Sequence, residues 1–598
     1  MSHQKPDPNV SVNLTIDGRP VTVPKGTTIL EAARKVGIHI PTLCDHPDLA
    51  WRAVCRLCVV ECDGASKLSA ACANYVWEGM KVVTNNLRIQ SIRKMIVEMI
   101  LAEHPQECFT CIRNQKCELQ ALALQFGIKK VSFPLEPKTA PVEVDTNTIT
   151  RDMSKCVKCG RCVDVCQEVQ SVRAINTAYR SHHYEITTPY DQALIDGPCV
   201  YCGQCAAVCP VGAIYENDQT EEVWAALDSP ERHVVVQTAP AVRVALGDEF
   251  GLPKGSITTG KMVTALKRLG FDKVFDTDFT ADLTILEEGH ELLDRLKRGK
   301  DSKLPMVTSC SPGWINFCEV FYPDLVGHLS TCKSPQQMFG ALAKTYYPQV
   351  AGVEAGKVFS VSIMPCTAKK FESQRPEMSD SGFRDVDVVL TTRELARMIR
   401  TAGIDFEALP ESKFDSLMGD STGAAVIFGT SGGVMEAALR TVYEVVTEKT
   451  LESVDFEVVR GHQGIKHAEV DLSGTKVKVL VANGLANART VMDSIREGKC
   501  DATFIEIMCC PGGCVGGGGQ PYCNSGIKLQ RMDGLYEADR LLPMRKSHEN
   551  PEVKALYEKF LEKPLGEKSH HLLHTHYSTG GKDHWKGGGH GGHGGHGH

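Results

Sequence analysis

The sequence predicts a multidomain chain, α+β up to about residue 225 and α/β beyond it. Three observations predict this. The chain has 598 residues, too many for one hydrophobic core. Sixteen of its 25 cysteines fall before residue 210, in short repeated spacings set among strand and turn patterns. From 232 onward cysteines thin out, and apolar β-branched runs alternate with helical patterns. That alternation reads as a parallel sheet covered on both faces. Hydrophobic residues make up 42%, which is ordinary for a folded protein in water. A net charge of −7 offers nothing to nucleic acid or an anionic membrane. No run of about eighteen apolar residues marks a membrane span. The first ten residues, MSHQKPDPNV, carry neither a secretory apolar core nor a twin arginine, so the expected compartment is the cytoplasm. There, so many cysteines point to metal ligands and not to disulfides.

Residues 1–88 read as hairpin then helix. VNLTI and VTV flank the turn DGRP, and Thr27 or Thr28 can cap ILEAARKVG. Cys44, Cys55, Cys58 and Cys72 follow, spread over two loops as a compact [2Fe–2S] cluster requires. The spacing resembles the plant-type ferredoxin domain, a β-grasp fold, at the N-termini of complex I subunits and iron hydrogenases. Cys62 reads as a small buried residue. Residues 89–130 hold His104, Cys108, Cys111 and Cys117 in HPQECFTCIRNQKC. This resembles the His/Cys3 [4Fe–4S] module that follows the same domain in both families. A neutral imidazole in place of a thiolate should raise the potential of its cluster. Zinc, which also accepts three cysteines and a histidine, is the alternative.

Residues 131–225 begin with a linker marked by Pro134, Pro137 and Pro141. Cys156, Cys159, Cys162 and Cys166 then repeat as Cys199, Cys202, Cys205 and Cys209, with Pro210 next. This is the pattern of bacterial two-cluster ferredoxins, in which the fourth cysteine of each run serves the other cluster. Cys156, Cys159, Cys162 and Cys209 are therefore expected to hold one [4Fe–4S], and Cys166, Cys199, Cys202 and Cys205 the other. Such a wire suits many enzymes, so function must come from the remainder.

Beyond 226, HVVVQTAP, LPMVTSC, KVFSVSIMPC, AVIFGTSGG, KVKVLVANG and ATFIEIMCC are the predicted strands. Ligands in such folds bind beyond the carboxyl ends of strands. Cys310, Cys366 and Cys510 each stand there, so three distant cysteines can converge on one buried spot.

The segments around those cysteines are TSCSPGW at 308–314, MPCTAKK at 364–370 and EIMCCPGGCVGGGGQP at 506–521. They resemble the three signature segments of [FeFe]-hydrogenases, and with the cluster domains the likeness spans residues 10–577. It looks closest to the catalytic subunits of multi-subunit, NAD(P)-linked members. The resemblance implies 2H+ + 2e− ⇌ H2 at an H-cluster, held by residues 226–534. That cofactor is a [4Fe–4S] cubane joined through one cysteine to a di-iron unit with CO, cyanide and a dithiolate amine. One [2Fe–2S] and three accessory [4Fe–4S] clusters would feed it. Residues 535–577 resemble the family's small subunit. The Gly/His tail, 578–598, is low-complexity and expected to be disordered. With no flavin or nucleotide site visible, ferredoxin or flavin- and NAD(P)-binding partner subunits are implied.

Residue by residue, the resemblance makes Cys366 and Cys510 cubane ligands and Cys514 the bridge to the di-iron unit. It places Lys369 against a cyanide, Met364 and Met508 in the apolar lining, and Ala239, Pro240 and Gln336 beside the di-iron unit. It routes protons from the Cys310 region through the two glutamates, Glu288 and Glu291, to Ser330, with Arg295 pairing at the outer end. Glu288 and Glu291, three apart, share one helix face. The family usually carries two adjacent cysteines in the first segment, a proton relay and a cubane ligand. Here the second is Ser311. Cys310 moving over, Ser311 as an alkoxide, or Cys332 reaching in are the readings left open. Thiolate suits iron–sulfur iron better than alkoxide. Cys509 is a further thiol beside a ligand position. Ala241 stands where relatives often have a serine. The glycines of FGTSGGVMEAALR open a helix as phosphate sites do, but no P-loop lysine follows. Gly516 to Gly519 are expected to let the backbone approach the cluster. A complex I-like electron-transfer scaffold is the alternative function; it would share residues 10–225 but lack the three segments. An assembly protein would lack the plant-type domain, and a hydrogen sensor would add a sensory domain.

Overall fold

The computed structural model describes residues 7–64, 67–144, 146–451, 453–461, 463–472 and 475–579. The Gly/His tail from 580 lies outside the described residues, so nothing bears on the expectation of disorder there.

The N-terminal hairpin forms from strands Asp7–Ile16 and Arg19–Lys25, paired antiparallel across the Asp17–Gly18 turn. Strand Lys81–Val83 runs parallel to the first, and Val59–Cys62 and Ser69–Ala70 complete a five-stranded sheet. Thr28 caps helix Ile29–Lys35 in a reciprocal box with Glu31, an arrangement worth about 1 kcal/mol. Helix Leu87–Ala102 then delivers the chain to His104.

Arg161 ties the cysteine-rich units together. Its guanidinium donates to the Asp45 carbonyl at 2.7 Å and to the Glu118 carboxylate at 2.6 and 2.8 Å. Those residues adjoin Cys44 and Cys117, while Arg161 itself adjoins Cys162. The dicluster unit joins the rest through a buried pair, Glu216 with Arg393 at 2.5 Å. Two arginines, Arg393 and Arg397, offset the burial cost and hold the Glu216 carboxyl far below its usual range.

Residues 232–518 contain two four-stranded sheets where one was expected. The first, in the order Lys273–Asp276, His233–Thr238, Val358–Met364 and Val388–Thr391, is wholly parallel. The second runs Met306–Val307, Phe504–Met508, Thr475–Asn483 and Ile465–Leu472, with only the last antiparallel. The expected strand AVIFGTSGG is a correction. It forms helix Gly423–Val426 and a 3-10 turn, Ile427–Gly429. Val426 and Ile427 are fully buried, so the run shows no face-to-face alternation that would tell helix from strand.

Helix Thr277–Arg298 begins directly after strand Lys273–Asp276, capped by Asp276. It packs against helices Pro335–Lys344 and Gly433–Thr447. Its buried side chains include Glu287, Glu288, Glu291 and Arg295. Such charges persist in an interior only when paired, hydrogen-bonded or neutralised. The C-terminal helices Ser525–Leu541, Pro551–Leu556 and Glu567–Leu573 pack over this region, and Asp539 pairs with the buried Arg440 at 2.8 Å.

Candidate active site

Strand Met306–Val307 ends just before the first signature segment, and strands Val358–Met364 and Phe504–Met508 run into the second and third. Strand Val358–Met364 belongs to one sheet, the others to its neighbour. Their carboxyl ends meet around a cavity of about 730 Å³. Cys310, Ser311, Cys366, Lys369, Cys510 and Cys514 line it, with Ala239, Pro240, Gln336, Met364 and Met508. Thr277, Ala281, Phe428, Cys509 and Gly513 line it too. Phe428 comes from the segment AVIFGTSGG, which the sequence reading took for a strand. The walls are apolar apart from thiols, the Ser311 and Thr277 hydroxyl side chains, one amide and one ammonium, a donor set that fits an iron–sulfur centre carrying an anionic appendage.

Lys369 Nζ donates to the Cys310 carbonyl at 3.2 Å and to Glu372 at 2.9 Å. Gln336 also donates to Glu372, at 3.1 Å, while its own amide oxygen is buried without a partner. Cys366, Cys510 and Cys514 lie within electrostatic reach of one another. Cys310 lies within reach of both Glu288 and Cys514, and its thiol is pushed well up by burial and by those two groups, with Lys369 opposing. Cys332 is a correction to the open readings: it does not line the cavity. Its Sγ lies 3.9 Å from Glu291 Oε2 and 3.9 Å from His574 Nδ1.

Behind Cys310 a file of polar groups leads outward along helix Thr277–Arg298. Glu288, 3% exposed, has its pKa pushed up to about 8 by burial and by the neighbouring Glu291. Ser330 donates to Glu291 at 2.9 Å and is in hydrogen-bonding contact with Glu288 as well. Glu291 accepts from Arg295 at 2.6 Å and from the Thr331 amide.

The cysteine-rich units form four further donor sets. Cys156, Cys159, Cys162 and Cys209 line one enclosed pocket of about 320 Å³, so the fourth cysteine does come from the second run. Cys166 lies with Cys199, Cys202 and Cys205. His104, Cys108, Cys111 and Cys117 line a pocket of about 310 Å³. Burial holds the His104 imidazole down to about 4, neutral and able to donate a lone pair. Cys58 and Cys72 lie 3.4 Å apart, with Cys44 and Cys55 in contact beside them. All 25 cysteines are free of disulfides. Gly212, near the Cys209 pocket, sits against Cys111, and Arg52 beside the Cys44 set pairs with Asp164 at 2.6 Å. Both N-terminal sets thus abut the Cys156 set. Cys162 neighbours Cys205, and Cys202 reaches Cys509 at the cavity wall.

Two glycine readings change. At Gly517 and Gly518 a Cβ would strike the carbonyls of Pro365 and Cys202. The run lets this strap thread between other backbone segments, with Gly517 alone of the four at the cavity. The phosphate-like start of helix Gly433–Thr447 is already filled. Buried Glu506 accepts from the amides of Gly432 at 2.6 Å and Met435 at 2.7 Å.

Comparison with known proteins agrees with this layout. Residues 232–518 match the model of the iron only hydrogenase large subunit, C-terminal domain, and 525–580 that of the iron hydrogenase small subunit. Residues 9–87 match a 2Fe-2S iron-sulfur cluster binding domain. Residues 93–132 match the NADH-ubiquinone oxidoreductase-G iron-sulfur binding region, and 133–213 a 4Fe-4S dicluster domain. The chain is 48% identical over 580 residues to the NADP-reducing hydrogenase subunit HndD of Solidesulfovibrio fructosivorans, covering 95% of this chain and 98% of that one. It is 40% identical over 576 residues to iron hydrogenase 1 of Clostridium pasteurianum, covering 94% and 99%. A solved structure of a variant of the [FeFe]-hydrogenase HydA1 from Chlamydomonas reinhardtii is 42% identical. It superposes with a TM-score of 0.55, covering 61% of this chain and all of that one.

Proposed function

The chain belongs to the iron-only hydrogenase family, and from that premise we propose which of its residues carry the chemistry and what the enzyme works with. Its N-terminal iron–sulfur domains precede an [FeFe]-hydrogenase catalytic domain. The observation that carries the residue assignment is the cavity itself. Three mutually close thiols, one ammonium and apolar walls enclose it, and Cys310 leads from it to a protonated carboxyl.

In this reading Cys366, Cys510 and Cys514 hold the cubane, with Cys514 shared with the di-iron unit. When bound, that cofactor supplies the redox chemistry of hydrogen. Lys369 presents its cation to an anionic ligand in a dry site, where such a contact is stronger than in water. Met364, Met508, Ala239 and Pro240 exclude water, and Gln336 steadies the Lys369–Glu372 pair. Cys310 exchanges the proton at the cavity wall. Glu288, protonated near neutrality, can both give a proton and take one back. Ser330 links it to Glu291, and Arg295 holds the outer carboxylate.

The donor sets fit one [2Fe–2S] and three accessory [4Fe–4S] clusters. The Cys44 and His104 sets are two entrances converging on the Cys156 set, and the Cys202 set faces the cavity. Phe109 and Leu124, 95% and 84% exposed, leave apolar side chains on the exposed face of the His104 module. We assign that face to an electron-donating partner subunit carrying flavin and an NAD(P) site, or to ferredoxin. The relative that is an NADP-reducing hydrogenase subunit supports this assignment. Among the described residues no helix is long and apolar enough to cross a membrane. We place the enzyme in the cytoplasm, where thiols stay reduced and available as metal ligands.

Infrared spectroscopy tests the assignment. After maturation with the di-iron unit, the chain should show bands of iron-bound CO and cyanide and evolve H2 from a reduced dye. Replacing Lys369 with Ala should shift or abolish the cyanide bands; unchanged bands would remove Lys369 from the site.

A further inference from the structure

The cavity wall is one thiol short at the family's ligand position, Ser311, and carries one thiol more at Cys509. The fold brings the two together. The Cys509 amide donates to Ser311 Oγ at 3.2 Å, so residues 198 apart in sequence are neighbours at the cavity. Cys509 lines that cavity and is 3% exposed. Its thiol is in contact with that of Cys510, already assigned to the cubane, and with that of Cys202 on the other side.

We propose that Cys509 supplies the fourth cubane thiolate, replacing the cysteine that Ser311 has displaced. The inference rests on reading the cavity as the cubane site. Four observations converge on it. The accessory set beside Cys509 is already complete, with Cys166, Cys199, Cys202 and Cys205, so a fifth thiol is not needed there. The catalytic set, Cys366, Cys510 and Cys514, lacks one. Cys310 is the thiol within reach of Glu288 and serves the proton file in the reading above, and Cys332 is engaged with Glu291 and His574 outside the cavity. Finally, room for the Cys509 thiol is built in. At Gly313 a Cβ would come 2.7 Å from Cys509 Sγ, a separation that ordinary packing does not permit. Any larger residue at 313 would push the thiol from its place. The Ser311 hydroxyl keeps a structural task, accepting the Cys509 amide bond. Thiolate is the softer donor and the better match to iron–sulfur iron.

The test uses the full chain produced without the di-iron unit, its clusters reconstituted with iron and sulfide. Iron content, Mössbauer and electron paramagnetic resonance spectra report the cubane without reference to turnover. Cys509→Ala should lose the spectrum of an all-thiolate cubane and one cluster's share of iron, while Ser311→Ala keeps both. Adding Ser311→Cys to Cys509→Ala should restore the cubane, which a general folding defect or damage to the Cys202 cluster would not allow. Gly313→Ala should weaken the same signal. An intact cubane in Cys509→Ala, its loss in Ser311→Ala, or no restoration in the double variant would overturn the proposal. Cys510→Ala separates the two levels of the argument. If it retains the cubane, the cavity is not the cluster site, and the underlying reading falls before the question of the fourth ligand arises.

Discussion

Replacing Glu288 with glutamine should make the catalytic domain more stable and the enzyme slower. The carboxyl has its pKa raised from the ordinary 4.5 to about 8, first by burial and then by Glu291. Between those values the folded protein binds a proton that the unfolded chain has released. Stability attributable to this group is therefore full below pH 4.5 and declines as pH rises toward 8. The loss is about 2 kcal/mol at pH 6 and on the order of 5 kcal/mol above pH 8. Glutamine has no charge to desolvate and keeps the shape and the contact with Ser330. The melting temperature of Glu288→Gln should exceed that of the parent, by a gap that widens from pH 6 to pH 8.5.

Turnover should move the other way. Glutamine cannot pass a proton on, and loss of such a group typically costs a factor of about 10²–10⁴, or about 3–5 kcal/mol in barrier. The assay is H2 evolution from a reduced dye beside infrared spectra of the mature enzyme, whose CO and cyanide bands should be unchanged. Equal turnover would mean that protons bypass Glu288. A melting gap that does not grow with pH would mean that the carboxyl is ionised in the fold and that the interior tolerates its charge.

Three other predictions test the layout. Cys55→Ala should remove the [2Fe–2S] signal and slow partner-driven turnover, yet leave the CO and cyanide bands in place; their loss would refute the modular arrangement. Cys514→Ala should prevent retention of the di-iron unit, because it removes the thiolate shared with it, and full H2 evolution in that variant would refute the site. Arg161→Ala leaves the Asp45 and Val208 carbonyls without their donor. It should lower stability by about 2 kcal/mol and slow electron delivery from both N-terminal entrances, measured as the ratio of partner-driven to dye-driven turnover.

The cluster ligands were legible because chelation is local. CxxC places two thiols on one short loop, and the exchange of Cys166 and Cys209 between runs follows from a spacing repeated twice. The catalytic sheets were less legible. Val426 and Ile427 are apolar and β-branched, yet they lie in helix because both sides of the segment are buried and no periodicity survives. The division into two sheets depends on which strands become neighbours across long stretches of chain. Strand Val388–Thr391 joins the first sheet from a segment, DVDVVLTT, whose flanking polar residues obscure it. Within the site, motif positions told which cysteines converge, but not which way a thiol turns. Cys332 has a plausible spacing and is engaged elsewhere, while Cys509, beside a ligand position, lines the cavity.

The long helix after Asp276 shows why two glutamates could be placed in sequence and the third could not. Glu287, Glu288 and Glu291 are all buried on it, with different fates. Glu288 faces the cavity file and meets only a serine and another carboxylate, so it gives up its charge. Glu291, three residues on and on the same face, pairs with Arg295 one turn later at 2.6 Å. Glu287, one turn before Glu291, is surrounded by Tyr557, Ser569, the Leu565 amide and His574. Those hydrogen bonds outweigh the cost of burial and hold its carboxyl below the usual range. Its partners lie some 270 residues away, in the C-terminal segment, and no helical periodicity could have named them. They also give that segment a task in the reading proposed above. By holding the buried Glu287, it helps to fix the rotation of the helix that carries Glu288 and Glu291. Proton delivery should then depend on a segment that does not itself reach the cavity.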